Sequence, residues 1–295
     1  VPIIDSFITP DDTAFDFGTI PVRRQVILYA EKFVGPRGYL LGSELATTLA
    51  YKRRLNAGAD LIAIDWEGVA KQISPKALAL LAHEVRQAIR DGGFTGRVLC
   101  TGLLSEGQKS RWWAFQDQLA ADRFTELEKR VEPFVPAIRE HDGIAYQLYV
   151  PYADVSNEGL SRLRCWLHGS ADLATRAIGV GKLALPMVAP RFMSAAPPQS
   201  LRLLDPPIQK AIARFVISRG FERVGLWDWA GPGYEVPGLT IAGTIGMIGA
   251  AVRQLNTEMV AAAKALSPDP EGKPIKMVEA KPSGVKVAAE NTSGA

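Results

Sequence analysis

The sequence predicts an α/β fold, a (β/α) TIM-like barrel of seven or eight strands with an extended C-terminal tail. Three observations carry that expectation. Short β-rich runs alternate with amphipathic helical segments through most of the 295 residues, the pattern of a parallel sheet with helical crossovers. No glycine-rich turn follows the first strand, as an open sheet built for nucleotide phosphates would require. Acidic and aromatic side chains gather where the apolar runs end, and a barrel builds its site at the C-terminal ends of its strands. The expected division is a barrel over 1–266 and a tail over 267–295.

The elements follow in order. Residues 25–30 read as a strand, and Ser43 is placed as cap of a helix over 43–56, stopped by Gly58. Residues 60–65 form a strand, because Leu61, Ile62 and Ile64 make an apolar run after a polar turn. Ser74 as N-cap and Pro75 at the first helical position open the next helix. Leu78, Leu81, Val85 and Ile89 recur at helical spacing, and Gly92 and Gly93 end the helix. A strand over 97–101 precedes a charged helical region over 111–141, which Pro133 and Pro136 must break or kink. Strands over 143–150 and 183–189 flank a helix over 157–175. Asp205 caps a further helix, with Pro206 and Pro207 in its first turn and Gly220 at its end. A strand over 223–227 and a glycine-rich helix over 239–265 complete the series.

Composition narrows the function classes. The 34 Lys and Arg against 31 Asp and Glu give a net charge of +3, evenly mixed, and not the basic stripe of a nucleic-acid binder. The longest uncharged apolar run, residues 239–252, contains three glycines and falls short of the roughly twenty residues a membrane span needs. Cys100 and Cys165 form at most one bridge. His83, His141 and His168 lack metal-ligand spacing, so neither metal nor cofactor is expected. Gly179, Gly181 and Lys182 lack the spacing of a phosphate loop, and there is no Gly-x-Ser-x-Gly elbow. The tail carries four prolines and no apolar period, the composition of a tail or an extended arm; docking on its own domain and docking on a protein partner both stay open.

Reading the strand ends locates the chemistry. Asp65 and Glu67 close the strand over 60–65 with Trp66 between them. Side chains two apart face the same way about 6–7 Å apart, so both carboxylates can enter the mouth. Such a pair raises one pKa and keeps an acid protonated, as general acid catalysis at a glycosidic oxygen requires. The alternative is that Asp65 caps the loop and Glu67 is a solvated charge. Trp66, Trp227 and Trp229, with Tyr149 and Tyr152, offer flat apolar faces with polar tips for stacking on a sugar. Trp112 and Trp113 fall beyond a strand end or in the core of the helix that follows. Gln147, Asp154, Arg191 and Asp228 are further strand-end groups; Arg191 meets a carboxylated sugar or pairs with an acid. Glu44 and Glu106 read as first-turn helical residues. Cys100 reads as core.

These segments resemble the hyaluronidase-type glycoside hydrolases. The strand ending in Asp65-Trp66-Glu67 is similar to that family's catalytic Asp-x-Glu strand. The run 26–30 resembles its first strand, Leu185-Pro186 a later one, and Gly225-Leu226-Trp227 its last. The resemblance implies a retaining, substrate-assisted hydrolase acting on a polysaccharide at an N-acetylhexosamine, a reading that favours a secreted protein. It implies Glu67 as general acid/base and Asp65 as the group orienting the sugar's acetamide. Tyr149 would hydrogen-bond that acetamide and Trp227 would form the floor. The alternatives are a muramidase-like or inverting hydrolase with Asp228 or Asp154 as second carboxylate, and a barrel that only binds glycan or serves as a structural component of a larger assembly.

Overall fold

A computed structural model describes residues 1–7, 17–104, 128–150, 154–192, 202–228 and 235–266. The expected tail and the helical stretch before residue 128 lie outside them. The described strands are β1 (Ile3–Ser6), β2 (Val22–Arg24), β3 (Val26–Tyr29), β4 (Leu61–Asp65), β5 (Arg97–Thr101), β6 (Gly143–Gln147), β7 (Leu183–Val188) and β8 (Arg223–Leu226). All seven pairings are parallel, in the order β2-β1-β8-β7-β6-β5-β4-β3. Gln25 alone separates β2 from β3, and its N–H still donates to the Ser6 carbonyl at 2.9 Å. One kinked run therefore pairs with β1 through its first half and with β4 through its second, which carries the ring round. The expectation of a barrel holds.

Helices α1 (Gly42–Leu55), a one-turn α2 (Glu67–Ala70), α3 (Pro75–Asp91), α4 (Val135–Arg139), α5 (Asn157–Ile178), α6 (Pro206–Ser218) and α7 (Ile241–Leu266) lie between or after the strands. Helix α3 forms as its punctuation dictates: the Ser74 hydroxyl accepts from the Ala77 N–H, Pro75 occupies the first turn, and Leu78, Leu81, Ala82, Val85 and Ile89 form the buried face. Helix α1 differs from expectation, since Leu41 occupies the N-cap without a side-chain bond and Ser43 lies inside the helix. Pro133 and Pro136 break the helical region, one of the two outcomes expected, and do not kink one long helix. They fall in the first turns of a 3-10 segment (Glu132–Phe134) and of α4, where a missing N–H costs nothing. Asp205 is the N-cap of α6, but its side chain makes no capping bond.

Strand alternation divides the core in two. Ile62, Ile64, Val98, Cys100, Ile144 and Tyr146 pack outward against the helices. Ile27, Leu61, Ala63, Leu99, Ala145, Leu185 and Met187, with Phe7, fill the lumen, and Tyr29, Tyr149 and Trp227 pack onto them. The lumen is solid apolar packing, each buried aliphatic side chain contributing roughly 1.5–3 kcal/mol. The strand-end acids and aromatics lie at its C-terminal end.

Candidate active site

The two-residue period decides which side chains reach the mouth. In β4, Leu61 and Ala63 face the lumen while Ile62 and Ile64 face the helices, so Asp65 continues the inner row. Its backbone pairs with Tyr29 on one side and Thr101 on the other, which sets one row across the mouth. Asp65 Oδ1 accepts the Glu67 N–H at 3.0 Å, an Asx turn that swings the chain from β4 into α2. Glu67 is thereby the first residue of α2, its side chain 39% exposed, with Lys71 Nζ 3.5 Å from its carboxylate one turn on.

Trp66 does not join them. It is fully buried on the helix side of the barrel, and its indole N–H donates to His141 Nε2 at 3.2 Å. The expectation that it contacts substrate is corrected by the same alternation: if 65 faces in, 66 faces out.

Opposite the carboxylates, the Tyr149 and Trp227 rings stack with centroids 5.2 Å apart and planes 24° apart. The Leu148 N–H donates to the Met187 carbonyl and the Trp227 N–H to the Val188 carbonyl, so both rings hang from extensions of the ladder. Burial holds the Tyr149 phenol well above its ordinary pKa, and the charges of Asp65, Asp228 and Glu67, together with Tyr29, push the same way. Tyr149 is therefore a permanent hydrogen-bond donor within electrostatic reach of both carboxylates. Gln147, in register with Met187, shares the lumen side of β6 with Ala145.

Arg191 and Asp228 have no exposed side-chain surface and bond to each other, Arg191 Nε lying 3.1 Å from both Asp228 oxygens and Nη2 adding a further contact. Of the two roles open to Arg191, the structure shows the ion pair. Both side chains are fully buried at the ends of β7 and β8. Asp154 is exposed, and its Oδ1 accepts the Ser156 N–H at 2.9 Å just before α5; hydrogen bonds from Ser156 hold its carboxyl below the usual range. Glu44 sits in the first turn of α1, as expected. Cys100 is buried against the helices, where burial, reinforced by Asp65, pushes its thiol up and leaves it inert. Trp229, Tyr152, Trp112, Trp113 and Glu106 lie outside the described residues.

Four residues at the mouth escaped the sequence reading. Tyr29 and Glu31 end β3 much as Asp65 and Glu67 end β4, and the strand-end rule applied to residues 29–31 finds them. Glu31 lies against Gly68, where an added Cβ would meet its carboxyl at 2.9 Å. Lys71 was findable as the (i, i+4) partner of Glu67. Gly102 carries no sequence signal, because what it abuts is folded in from β4. A cavity of about 650 Å³ lined by Arg53, Arg54, Asn56 and Phe94 lies at the other end of the barrel, among the loops that precede β4 and β5, away from these groups. Among the described residues no group of three or more His, Cys, Asp or Glu is placed to hold a metal ion, and no helix is long and apolar enough to cross a membrane.

The fold is a parallel β/α barrel with Asp65, Glu67 and a stacked Tyr149–Trp227 pair at the C-terminal ends of its strands. Among solved structures, bee venom hyaluronidase is similar over 86% of this chain and 100% of its own, with a TM-score of 0.51 at 11% identity. The same enzyme in complex with a hyaluronic acid tetramer gives 0.43 at 12% identity, covering 82% of this chain and 72% of that one. A class V chitinase from Nicotiana tobaccum gives 0.34 at 9% identity, covering 87% and 98%. What is shared with the first of these is the barrel fold. No protein-family model and no curated protein sequence matches the chain.

Proposed function

We propose that this protein is a glycoside hydrolase that cleaves a polysaccharide at an N-acetylhexosamine by a retaining, substrate-assisted mechanism. One observation carries the reading. Asp65 and Glu67 stand at the C-terminal mouth of the barrel, joined by a hydrogen bond that fixes their relation, across from a Tyr149–Trp227 stack whose phenol keeps its proton.

In the first step the sugar's acetamide oxygen bonds to the anomeric carbon while the glycosidic C–O bond breaks. The leaving oxygen takes that electron pair and the Glu67 proton. The Asp65 carboxylate accepts the acetamide N–H and stabilises the positive charge that develops on the amide. Its Oδ1 is engaged by the Glu67 backbone, but a carboxylate has about four acceptor sites. Tyr149 donates its hydroxyl to the acetamide and Trp227 stacks beneath the ring. In the second step Glu67 removes a proton from water, which attacks the same carbon and restores the acetamide with net retention. An inverting pathway needs a second free carboxylate. Asp228 is buried in its ion pair with Arg191, while Asp154 stays exposed with its Oδ1 accepting the Ser156 N–H and is the carboxylate such a pathway would use.

Reducing-end release from glycosaminoglycans, peptidoglycan and capsular polysaccharides tests the proposal, with wild type and Glu67→Gln compared. The amide cannot supply the proton, and a loss of at least about 100-fold is expected. Full activity in the variant overturns the assignment. Glycan binding without new reducing ends from the wild type assigns the barrel to binding alone.

A further inference from the structure

We propose that Gly102 is a positioning residue: it lets the end of β5 lie flush behind the Asp65 carboxylate, which holds the acid in one orientation against Glu67. The inference rests in part on the functional reading above, since its catalytic consequence needs Asp65 to act.

Two independent features of Gly102 meet at the pair. Its backbone φ is +86°, a conformation L side chains rarely adopt. An ideal Cβ built on it would also lie 2.5 Å from Asp65 Oδ1, 2.8 Å from the Glu67 backbone nitrogen and 3.2 Å from Glu67 Cβ. The atoms in its way are those of the Asx turn itself, the Oδ1 acceptor and the N–H donor 3.0 Å apart. The Trp66 N–H, between these two residues, donates to the Thr101 carbonyl at 3.1 Å, so the end of β5 is tied to the turn and cannot swing away to make room. A methyl group at 102 must displace Asp65, the Glu67 backbone, or both. The carboxylate, on a single rotatable stem, moves at lower cost than a laddered backbone.

A displaced Asp65 cannot meet the acetamide at the right angle, and Glu67 loses the bond that anchors its backbone. Misplacement by about 1 Å costs on the order of 100-fold in rate. Ground-state binding through the Trp227 floor is untouched. The change therefore falls on kcat and leaves KM within about threefold.

Two measurements on the full chain test this. The first is kcat and KM of Gly102→Ala on the glycan cleaved by the wild type. A kcat loss near 100-fold with KM retained is expected, and unchanged kcat overturns the proposal. The second needs no substrate. Urea midpoints of wild type, Gly102→Ala, Asp65→Ala and the double variant form a thermodynamic cycle. Backbone strain at φ +86° and the contact with the Glu67 nitrogen are present in both backgrounds, whereas the contact with the carboxylate exists only where Asp65 is intact. The midpoint drop caused by Gly102→Ala is expected to be smaller in the Asp65→Ala background, and an equal drop in both assigns Gly102 to the turn alone. If Gly102→Ala does not fold, folded double variant supports the proposal and unfolded double variant overturns it. Should no glycan be cleaved, the glycosidase reading fails while the cycle still decides the packing of Gly102 against Asp65.

Discussion

His141 accepts the Trp66 indole N–H at Nε2, and its Nδ1 lies 2.9 Å from the Ala137 carbonyl oxygen. Only the neutral ring with its proton on Nδ1 satisfies both contacts. Burial accordingly depresses its pKa from 6.5 to about 4. Between those values the unfolded chain binds the additional proton, so stability is intact above pH 6.5 and falls as the pH drops towards 4, by about 3 kcal/mol in all. Urea midpoints read across pH 7 to 4.5 are expected to fall in the wild type. In His141→Phe the slope in this window flattens, and the variant is about 1–3 kcal/mol less stable at pH 7 because the indole N–H loses its acceptor. An unchanged slope would show that another group titrates there. Two buried hydroxyls, Thr101 Oγ1 and Tyr146 Oη, have no hydrogen-bond partner among the described residues. Thr101→Val and Tyr146→Phe are each expected to raise stability by up to about 1 kcal/mol in chemical denaturation, and a loss in both would mean the hydroxyls have partners in solution. At this scale the candidate site was legible where alternation alone decides. Asp65, Tyr149 and Trp227 each end an inner row, whereas Glu67 is brought beside Asp65 by the Asx turn that opens α2 and not by strand alternation. The same two-residue period turns Trp66 away from the mouth, against its expected contact with the sugar. The pairing of Arg191 with Asp228 and the demand for glycine at 102 depend on segments far apart in sequence, and no local pattern encodes them.

Helix boundaries show which signals are strong enough to read. Helix α3 begins and ends where Ser74, Pro75 and Gly92 place it, because each residue satisfies a specific backbone need: an orphan N–H accepted at 3.3 Å, a first turn that tolerates proline, and a stop. Ser74→Ala is expected to cost about 1 kcal/mol in urea unfolding, and a change below a few tenths would mean that water replaces the cap. Ser43 offered the same residue type without the geometry, one position inside α1, where its hydroxyl caps nothing. A cap residue is thus a signal only in register with the apolar stripe that follows. Strands β1 and β2 escaped the reading for a different reason. They span four and three residues, and β2 carries the exposed Arg23 and Arg24 in place of an alternating pattern. Their strand character comes from pairing with β8 and with each other, which is tertiary information.

The whole molecule is closed at its N-terminal end by a polar plug that mirrors the mouth without its chemistry. Arg223 at the start of β8 forks onto Asp5 of β1, with Nε and Nη2 each 2.7 Å from its oxygens, and onto Asp60 ahead of β4 at 2.7 and 2.8 Å. Gln25, in the kink between β2 and β3, donates to both carboxylates at 2.8 and 2.7 Å and accepts the backbone N–H groups of Asp60 and Leu61. Four segments of the ring are therefore joined where the kinked run bridges β1 and β4. Hydrogen bonding from Arg223, assisted by Gln25 and by the charges of Arg223 and Arg23, holds the Asp60 carboxyl down at about 2 against the opposing effect of its burial. A lowered carboxyl stabilises the fold above its ordinary value near 4, and that contribution is lost as the pH falls towards 2. Arg223→Met removes the fork and leaves the fully buried Asp5 without its guanidinium, while Asp60 keeps Arg23 at 3.6 Å. The expected loss is about 3 kcal/mol at pH 7, with the acid limb between pH 4 and 2 weakened because Asp60 returns towards its ordinary range. Arg223→Lys is expected to recover only part of it, since one ammonium cannot fork onto two carboxylates. Urea unfolding of the three proteins at pH 7 and pH 3 reads both effects. A loss below about 1 kcal/mol in Arg223→Met would mean that the backbone ladder through Gln25 closes the barrel without help from the plug.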